Sequence, residues 1–595
     1  MRHGVLTLRL VARAVTWFPD GPTRCGLAVH AFAEEGRAAQ IPGPLIRVRS
    51  GTDVQVTIRN DLPKPLWVRG FQDHNVGTVD STPLSPGDQH TFRFRVTAPG
   101  AWYYWAGDEN ARVPTSNQDG QLVGGLVVDP SAPHETIGDR VFVMTRWTPN
   151  GQVGTKTFQL NAINGLSWPL TERLTYSIGD SIRWAVINAS DELHMMHLHG
   201  FYYRIEARGD AAHDSVLARE HKLTRVSAAT RRGEWMSIVW SPDRPGNWLF
   251  HCHLVAHMSA DQRLDGTPGT PGTPGTPKGL AHPADMRAGM GGANDPMAGL
   301  ILGVTIRPNR SVAQAGPTGS SPRRIQLFAN TRPRVFGDDP GLGFIVQSDA
   351  RVPAPDSIRI PGSPLVLTQN EPVQITVHNR LSAPFGVHWH GLEIESYFDG
   401  VAGWSGMGTR IAPAIAPGDS FVARFTPPRA GSFIYHVHGE QRSELASGLY
   451  GALIVLPPGQ RFDPTNDLIF VIATGGPGAD PPTFVNGSAT PDTVSLKPGA
   501  YRFRLIDIAS NEAHTITLRG AGGLAQWRQI AADAADLPSD QATLGPARIN
   551  SAAGVTQDFE VILTTAGQYS LAVTSIVDGK LSDRVTTVPV RVAAP

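Results

Sequence analysis

The sequence predicts an all-β chain assembled from repeated sandwiches or barrels, and three observations predict it. Most segments are runs of roughly four to eight residues rich in Val, Ile, Thr, Phe and Trp, closed by Gly or Pro turns. VQVTIRN, TFRFRV, LVGGLVV and YRFRLIDI are examples. Helical periodicity sustained over about ten residues is scarce. Finally, long stretches of the chain repeat one another.

The repeat sets the organisation. The stretch IPG…VQVTIRNDLPKPLWVRGF (41–71) realigns with IPG…VQITVHNRLSAPFGVHWH (360–390), and INASDELHMMHLHG (187–200) realigns with IDIASNEAHTITLRG (506–520). The order is A, B, A′, B′. Four units follow, 1–133, 134–310, 311–458 and 459–595, joined by the linkers 129–139, 307–324 and 456–467. The low-complexity run GTPGTPGTPGTPKG (266–279) falls inside the second unit.

Composition excludes several classes. Lys+Arg and Asp+Glu are 52 each, so zero net charge gives no support to a nucleic-acid or anionic-membrane partner. Two cysteines, Cys25 and Cys252, are too few for a disulfide scaffold or a four-cysteine zinc site. No apolar run approaches the roughly eighteen residues of a membrane span. The opening MRHGVLTLRLVARAVTWF places arginines where a secretion signal needs unbroken apolar residues, and alternates as a first strand does. Cys25 reads as a buried strand residue.

Four histidine clusters carry the chemistry. They are His194-Met-Met-His197-Leu-His199, His251-Cys252-His253 with His257 following, His388-Trp-His390 and His436-Val-His438. Strand side chains alternate faces, so each His-X-His pair aims both imidazoles the same way. Four pairs supply eight imidazoles to one cavity. Cys252 points to the opposite face from its flanking histidines and is free to bind a second metal. A thiolate with two imidazoles is a trigonal blue-copper set, which Cys252, His257 and His194 provide. Twenty histidines scattered at random over 595 positions would almost never produce this pattern.

These clusters resemble the four copper motifs of the multicopper oxidases, the laccase and ceruloplasmin superfamily of cupredoxin domains, over nearly the whole chain. The resemblance implies tandem cupredoxin-like Greek-key units and four copper ions. By it, His194, Cys252 and His257 hold type 1 copper, His197 and His388 hold type 2, and His199, His251, His253, His390, His436 and His438 hold the type 3 pair. The motif order departs from the usual one, because the His-Cys-His unit comes second and the His-Trp-His unit third. In the first unit Arg69, Phe71, Trp105 and Gly107 stand where histidines are expected. In the fourth, Thr517, Arg519 and Ala572-Val573-Thr574 replace ligands and only His514 survives. Arg69, Phe71, Trp105 and Arg519 read as packing that fills vacated sites. The trinuclear cluster is expected between units two and three.

The family's axial type 1 position falls on Leu300, with Met297 and Met258 as alternatives across the insertion 258–296. Within or beside it, Met258, Met286, Met290, Met297 and His282 read as anchors of a lid, or alternatively as Cu(I) ligands. Reducing O₂ to water consumes four protons, so a positioned carboxylate is needed near the cluster. Asp399, nine residues after His390, matches the family's acidic residue. The expected activity is laccase-like: one-electron oxidation of a phenol or aromatic amine, with electrons passing from Cys252 to His251 and His253 and O₂ reduced to water. A metallo-oxidase acting on Cu(I), Mn(II) or Fe(II) is the alternative. A copper nitrite reductase needs only three imidazoles at its catalytic copper, and a non-catalytic array would have lost its ligands, as units one and four have. The resemblance implies a periplasmic or extracellular setting, though no leader is read in this chain.

Overall fold

A computed structural model describes residues 5–594 except 75–76, 78–79, 133–136, 150–157, 211, 219–221, 260–261, 263, 266–272, 275–296, 310–320, 350, 439–441, 479 and 578. Met286, Met290, His282 and most of the TPG run lie outside the described residues. The fold is all-β, with Arg442–Ala446 the one α-helix among the described residues. No described helix is long and apolar enough to cross a membrane.

Eight large sheets come in four successive facing pairs. In the first pair, strands Leu27–Glu34, Val5–Trp17, Asp53–Asn60 and Gln89–Arg95 lie in that order. The facing sheet runs Gly43–Arg49, Val123–Asp129, Gly100–Gly107, Leu66–Arg69 and Ser81–Leu84. The third pair repeats this connectivity without the last strand, and the fourth repeats the second, so topology alternates as the sequence repeat does.

Period-two burial explains the strands. Along Val373–Asn379, Val373, Ile375, Val377 and Asn379 are buried while the residues between them are partly exposed. Each sheet pair closes on an apolar core of its own: Val54, Val56, Ile58, Trp102 and Tyr104 in the first, Phe142, Trp184, Ile238 and Trp248 in the second, Ile375, Trp389, Phe433 and Tyr435 in the third, and Phe470, Phe503, Trp527 and Phe559 in the fourth.

Several strands break the alternation, and four of them carry the histidine clusters. These are β1 (His194–Leu198), β2 (Gly246–Cys252), β3 (Gly386–His390) and β4 (Gly431–His438), nearly every residue of which is buried. One face of each meets its own core, and the other is covered by a neighbouring pair. Between the second and third pairs, Trp404 donates Nε1–H to the Trp248 carbonyl at 3.0 Å and meets Trp168 edge-on. The Arg173 guanidinium lies 3.7 Å over the Trp168 ring.

The vacated positions of the first unit are packed as expected. Arg69 is buried, lies 4.7 Å over the Trp105 ring and donates to the Asp108 and Glu109 carbonyls. Phe71 stacks on Phe92. Cys25 is buried among Trp17, Leu27 and Val29, just ahead of its strand rather than within it. Arg519 corrects the reading of a filled site. It is exposed, because Leu518 takes the inward position and the pleat turns its neighbour out.

Trp404→Ala is expected to cost about 3–5 kcal/mol, by loss of buried area and a cavity at the seam. Trp404→Phe keeps one ring and gives up the hydrogen bond, about 1 kcal/mol, and part of the buried area, a smaller loss than the alanine variant. Denaturant unfolding of the two variants measures this, and equal losses would contradict the seam's packing role.

Candidate metal centre

The pleat of two antiparallel strands builds the centre. In β1 and β2, Met196 lies opposite Cys252 and His197 opposite His251. His197, His199, His251 and His253 therefore share one face, while Met196 and Cys252 face the apolar core. In β3 and β4, His388 lies opposite His436 and Gly386 opposite His438. All eight of these imidazoles are buried.

On the core side, Cys252 Sγ lies 3.4 Å from His257 Nδ1 and 4.0 Å from His194 Nδ1, and the two Nδ1 atoms are 3.0 Å apart. The far ring nitrogens are spoken for. The Ser190 hydroxyl donates to Asn188 Oδ1 at 2.7 Å, so its oxygen accepts from His194 Nε2 at 3.0 Å. His257 Nε2 meets Glu192 Oε2 at 2.7 Å. Both rings thus turn Nδ1 toward the sulfur, the arrangement in which an outer acceptor fixes tautomer and orientation. Burial opposes charge on His257, but Cys252 and Glu192 outweigh it and raise the ring to about 9. Glu192 falls to about 2 despite its burial, through its bond to His257 and the nearby charge of Arg146.

Leu300 is fully buried in the same core cluster as Cys252. Its carbonyl accepts from the Cys252 amide at 3.0 Å, and its own amide donates to the His257 carbonyl at 2.9 Å. Met297 and Met258 pack in a different cluster, around Trp168 and Trp404. The described geometry therefore brings Leu300, not either methionine, beside the Cys–His₂ set.

On the other face the eight imidazoles converge in overlapping groups, among them His197 with His199 and His251, His197 with His388 and His390, and His253 with His390 and His436. His197 Nε2 faces His388 Nε2 at 3.4 Å. His251 Nε2 lies 2.9 Å from His199 Nε2 and 3.4 Å from His438 Nε2. His253, His390 and His436 offer nitrogens within 4.8 Å of one another. Burial first, then neighbouring imidazoles, hold His197, His199, His253, His390 and His438 well below the ordinary histidine range. Burial lowers His251 to about 4 and His436 to about 3.

Asp399 sits behind two of these rings. Its Oδ2 meets His199 Nδ1 at 2.8 Å and accepts from the Ser405 hydroxyl at 3.1 Å; its main-chain carbonyl accepts from His388 Nδ1 at 2.7 Å. Both imidazoles keep Nε2 toward the cavity, so the carboxylate reaches it through the rings. The following Gly400, at φ +96, leaves no room for a side chain: a Cβ would fall 1.9 Å from the Val387 carbonyl. Asp399 is both the turn residue before a required glycine and the carboxylate at the cavity wall.

Sequence reasoning missed several residues. Glu192 had one available signal, since the repeat aligns it with Glu512. Ser190 shares that signal through Ser510, whereas Ser227, whose Oγ is 3.1 Å from His197 Nδ1, carries none. Nor do Asp533 and Gly554, which approach the cavity from the fourth sheet pair.

The donor chemistry suits a borderline-to-soft metal. His253 Nδ1 and Nε2, His390 Nδ1, His436 Nε2 and His438 Nδ1 are buried with no hydrogen-bond partner among the described residues. Leaving such atoms unpaired costs about 1–3 kcal/mol each. Converging neutral imidazoles, with a thiolate set nearby, are the ligands copper prefers.

Comparisons with known proteins agree. Two multicopper oxidase family models match the chain, one over residues 36–133 and 358–460 and the other over 139–263, together more than half of it. A probable nitrite reductase–hydroxylamine oxidoreductase fusion protein of Kuenenia stuttgartiensis is 26% identical over 278 residues, 43% of this chain and 30% of that protein. Laccase ustL of Ustilaginoidea virens is 39% identical over 99 residues, 16% of this chain and 14% of its own. The chain spans less than a third of either relative. The blue copper oxidase of Nitrosomonas europaea superposes with a TM-score of 0.38 at 21% identity, over 51% of this chain and 86% of that one. By its family matches the chain belongs to the multicopper oxidases, and copper is the metal its two donor sets imply.

Proposed function

We propose that the protein is a laccase-like oxidase coupling one-electron oxidation of phenols or aromatic amines to four-electron reduction of O₂ to two waters. The observation that carries this reading is the single-residue step from Cys252 to His251 and His253, which joins the two donor sets through one peptide segment. In this reading His194, Cys252 and His257 would hold type 1 copper, with the Leu300 side chain packed beside that set. His197 and His388 hold type 2 copper, and the remaining six imidazoles hold the type 3 pair. Copper held by these residues would supply one-electron redox chemistry, four donor molecules each losing one electron to balance O₂ + 4e⁻ + 4H⁺ → 2H₂O.

The chain's own residues do the rest. Leu300, packed in the core beside Cys252, offers no thioether to a metal held by Cys252, His194 and His257, which would favour a high potential. Glu192, ionised and a quarter exposed, stands between His257 and solvent and can accept a phenol O–H as the substrate loses its electron. Arg146 pairs with both Asp191 and Glu192, at 3.1 and 3.0 Å, and neutralises much of their charge. That favours a neutral aromatic donor over a metal cation. Asp399 orients His199 and His388 and can pass protons toward the cavity by way of Ser405.

Cys252→Ser is expected to abolish the intense thiolate-to-copper absorption and phenol oxidation, while the eight-imidazole cavity keeps its copper. Metal analysis with optical spectroscopy checks this, and surviving blue colour would refute the type 1 assignment. Asp399→Asn is expected to slow reoxidation by O₂ by about 10–100-fold, the usual cost of losing an outer partner. Reduction of the blue site by phenol should be unchanged in stopped-flow traces; slowing of that step alone would make Asp399 a substrate residue. Comparing phenols with Cu(I), Mn(II) and Fe(II) as donors decides the substrate class.

The metal-free protein should also be acid-sensitive. Histidines whose folded-state values lie below 6.5 bind more protons unfolded, so stability rises with pH through that window. It is present above about 6.5 and is lost as pH falls toward about 4, the value for His251. Urea midpoints of the apoprotein should therefore drop between pH 7 and pH 4, by more than those of a variant with His251 and His436 replaced by Gln. Equal slopes would contradict burial of neutral imidazoles.

A further inference from the structure

The fourth sheet pair has lost its ligands, yet it is packed against the eight-imidazole cavity. Strands Gln526–Ala532 and Ala535–Asp536 form a hairpin with Ala532 opposite Ala535, leaving Asp533 and Ala534 as its two-residue tip. Both tip residues have positive φ, +48 and +57. This turn type favours Asn, Asp or Gly, so alanine at the second position is strained. Such strain persists where surrounding contacts enforce it. Here they do: Ala534 packs on Gly431, the first residue of β4, so closely that a Cβ on Gly431 would lie 2.5 Å from the Ala534 methyl.

Asp533 is buried at the same seam. Its Oδ2 accepts from the Val226 and Ser227 amides at 3.0 and 3.1 Å, and its Oδ1 accepts from the Thr556 amide at 3.2 Å. Its carbonyl accepts from the Tyr202 hydroxyl at 2.6 Å. Val226 and Ser227 are the residues that hold His197: the Val226 carbonyl is 2.9 Å and the Ser227 hydroxyl 3.1 Å from its Nδ1. A short chain of contacts thus runs from the fourth sheet pair to the ring whose Nε2 faces His388.

A second contact is direct. The Gly554 carbonyl accepts from His390 Nε2 at 2.9 Å, leaving the unpartnered Nδ1 as that ring's remaining nitrogen. Gly554 has φ +78, and a Cβ there would fall 2.7 Å from His253 Cδ2. Nearby, the Ser510 carbonyl and Asn511 side chain accept from the Val255 and Ala256 amides, between His253 and His257.

Apolar residues would glue two sheet pairs together at lower desolvation cost than a buried carboxylate. What a carboxylate adds is direction: it fixes where two particular amides sit.

We propose that the fourth sheet pair is a positioning element for the eight-imidazole cavity, Asp533 setting the orientation of His197 through Val226–Ser227 and the Gly554 carbonyl setting that of His390. This rests on the copper reading above. Outer partners of metal-bound histidines typically contribute about 10–100-fold to metal affinity.

The test uses full-length, copper-loaded protein and the variants Asp533→Asn, Asp533→Ala and Arg502→Ala. Arg502 pairs with Asp558 on the same seam and, among the described residues, bonds no partner of a cavity imidazole. Asp533→Asn should alter the type 2 Cu(II) EPR signal and weaken copper retention against a chelator about tenfold. The blue absorption should be unchanged, and Asp533→Ala should show a larger effect in the same direction. Arg502→Ala should lower the melting midpoint and leave the type 2 signal as in the wild type. If Asp533→Ala fails to fold, the isosteric Asn variant carries the test. Asp533 variants that melt earlier with a wild-type type 2 signal, or that lose every copper class in parallel, would overturn the proposal. Wild-type protein that takes up no copper in this cavity would overturn the copper reading as well, and would show it before any variant is made.

Discussion

The pleat of β2 is the constraint on which the rest depends. Neighbouring residues of a strand face opposite ways, so His251 and His253 must leave the sheet on the side that Cys252 does not. Two donor sets of different chemistry are thereby held one residue apart, closer than separate segments could be kept without extra packing. The same constraint imposes a cost on the fold. A strand with chemistry on both faces cannot show one face to water, so a second sheet pair must cover it. The third pair does so, and brings its own four imidazoles with it.

Much of this was legible in the sequence because it is local. A His-X-His pair declares its direction through strand alternation alone, and four of them point to one cavity. The alternating units were legible too, since matching hydrophobic runs yield matching strand order. What stayed hidden depends on distant chain. Glu192 gains meaning only beside His257, 65 residues away, and Asp533 only beside Val226, 307 residues away. Apart from the alignment of Glu192 with Glu512, nothing at either position separates a functional carboxylate from an ordinary turn acid. Arg519 failed for a related reason: alignment says which residue replaces a histidine, not whether the vacated face is still covered.

The vacated sites were rebuilt in different ways. In the first unit an arginine over Trp105 occupies the space, with its charge met by carbonyls. In the fourth, His514 remains at the position aligned with His194 and is bound to Asp507 at 2.8 Å, with Glu512 near its other nitrogen. Burial opposes its protonation, but these two carboxylates outweigh burial and raise it to about 9. Ala572-Val573-Thr574 stands where the second unit has His251-Cys252-His253, so this imidazole has no thiolate beside it and turns its nitrogens to carboxylates instead. The surviving histidine is therefore a structural cation, a role opposite to that of its counterpart.

All eight cavity imidazoles belong to one chain, although His197 and His388 are separated by 191 positions. Closing the cavity is consequently a first-order event. Its effective concentration is set by the connecting polypeptide, not by how much protein is present. Dilution, which would dissolve a cavity shared between separate molecules, leaves this one intact.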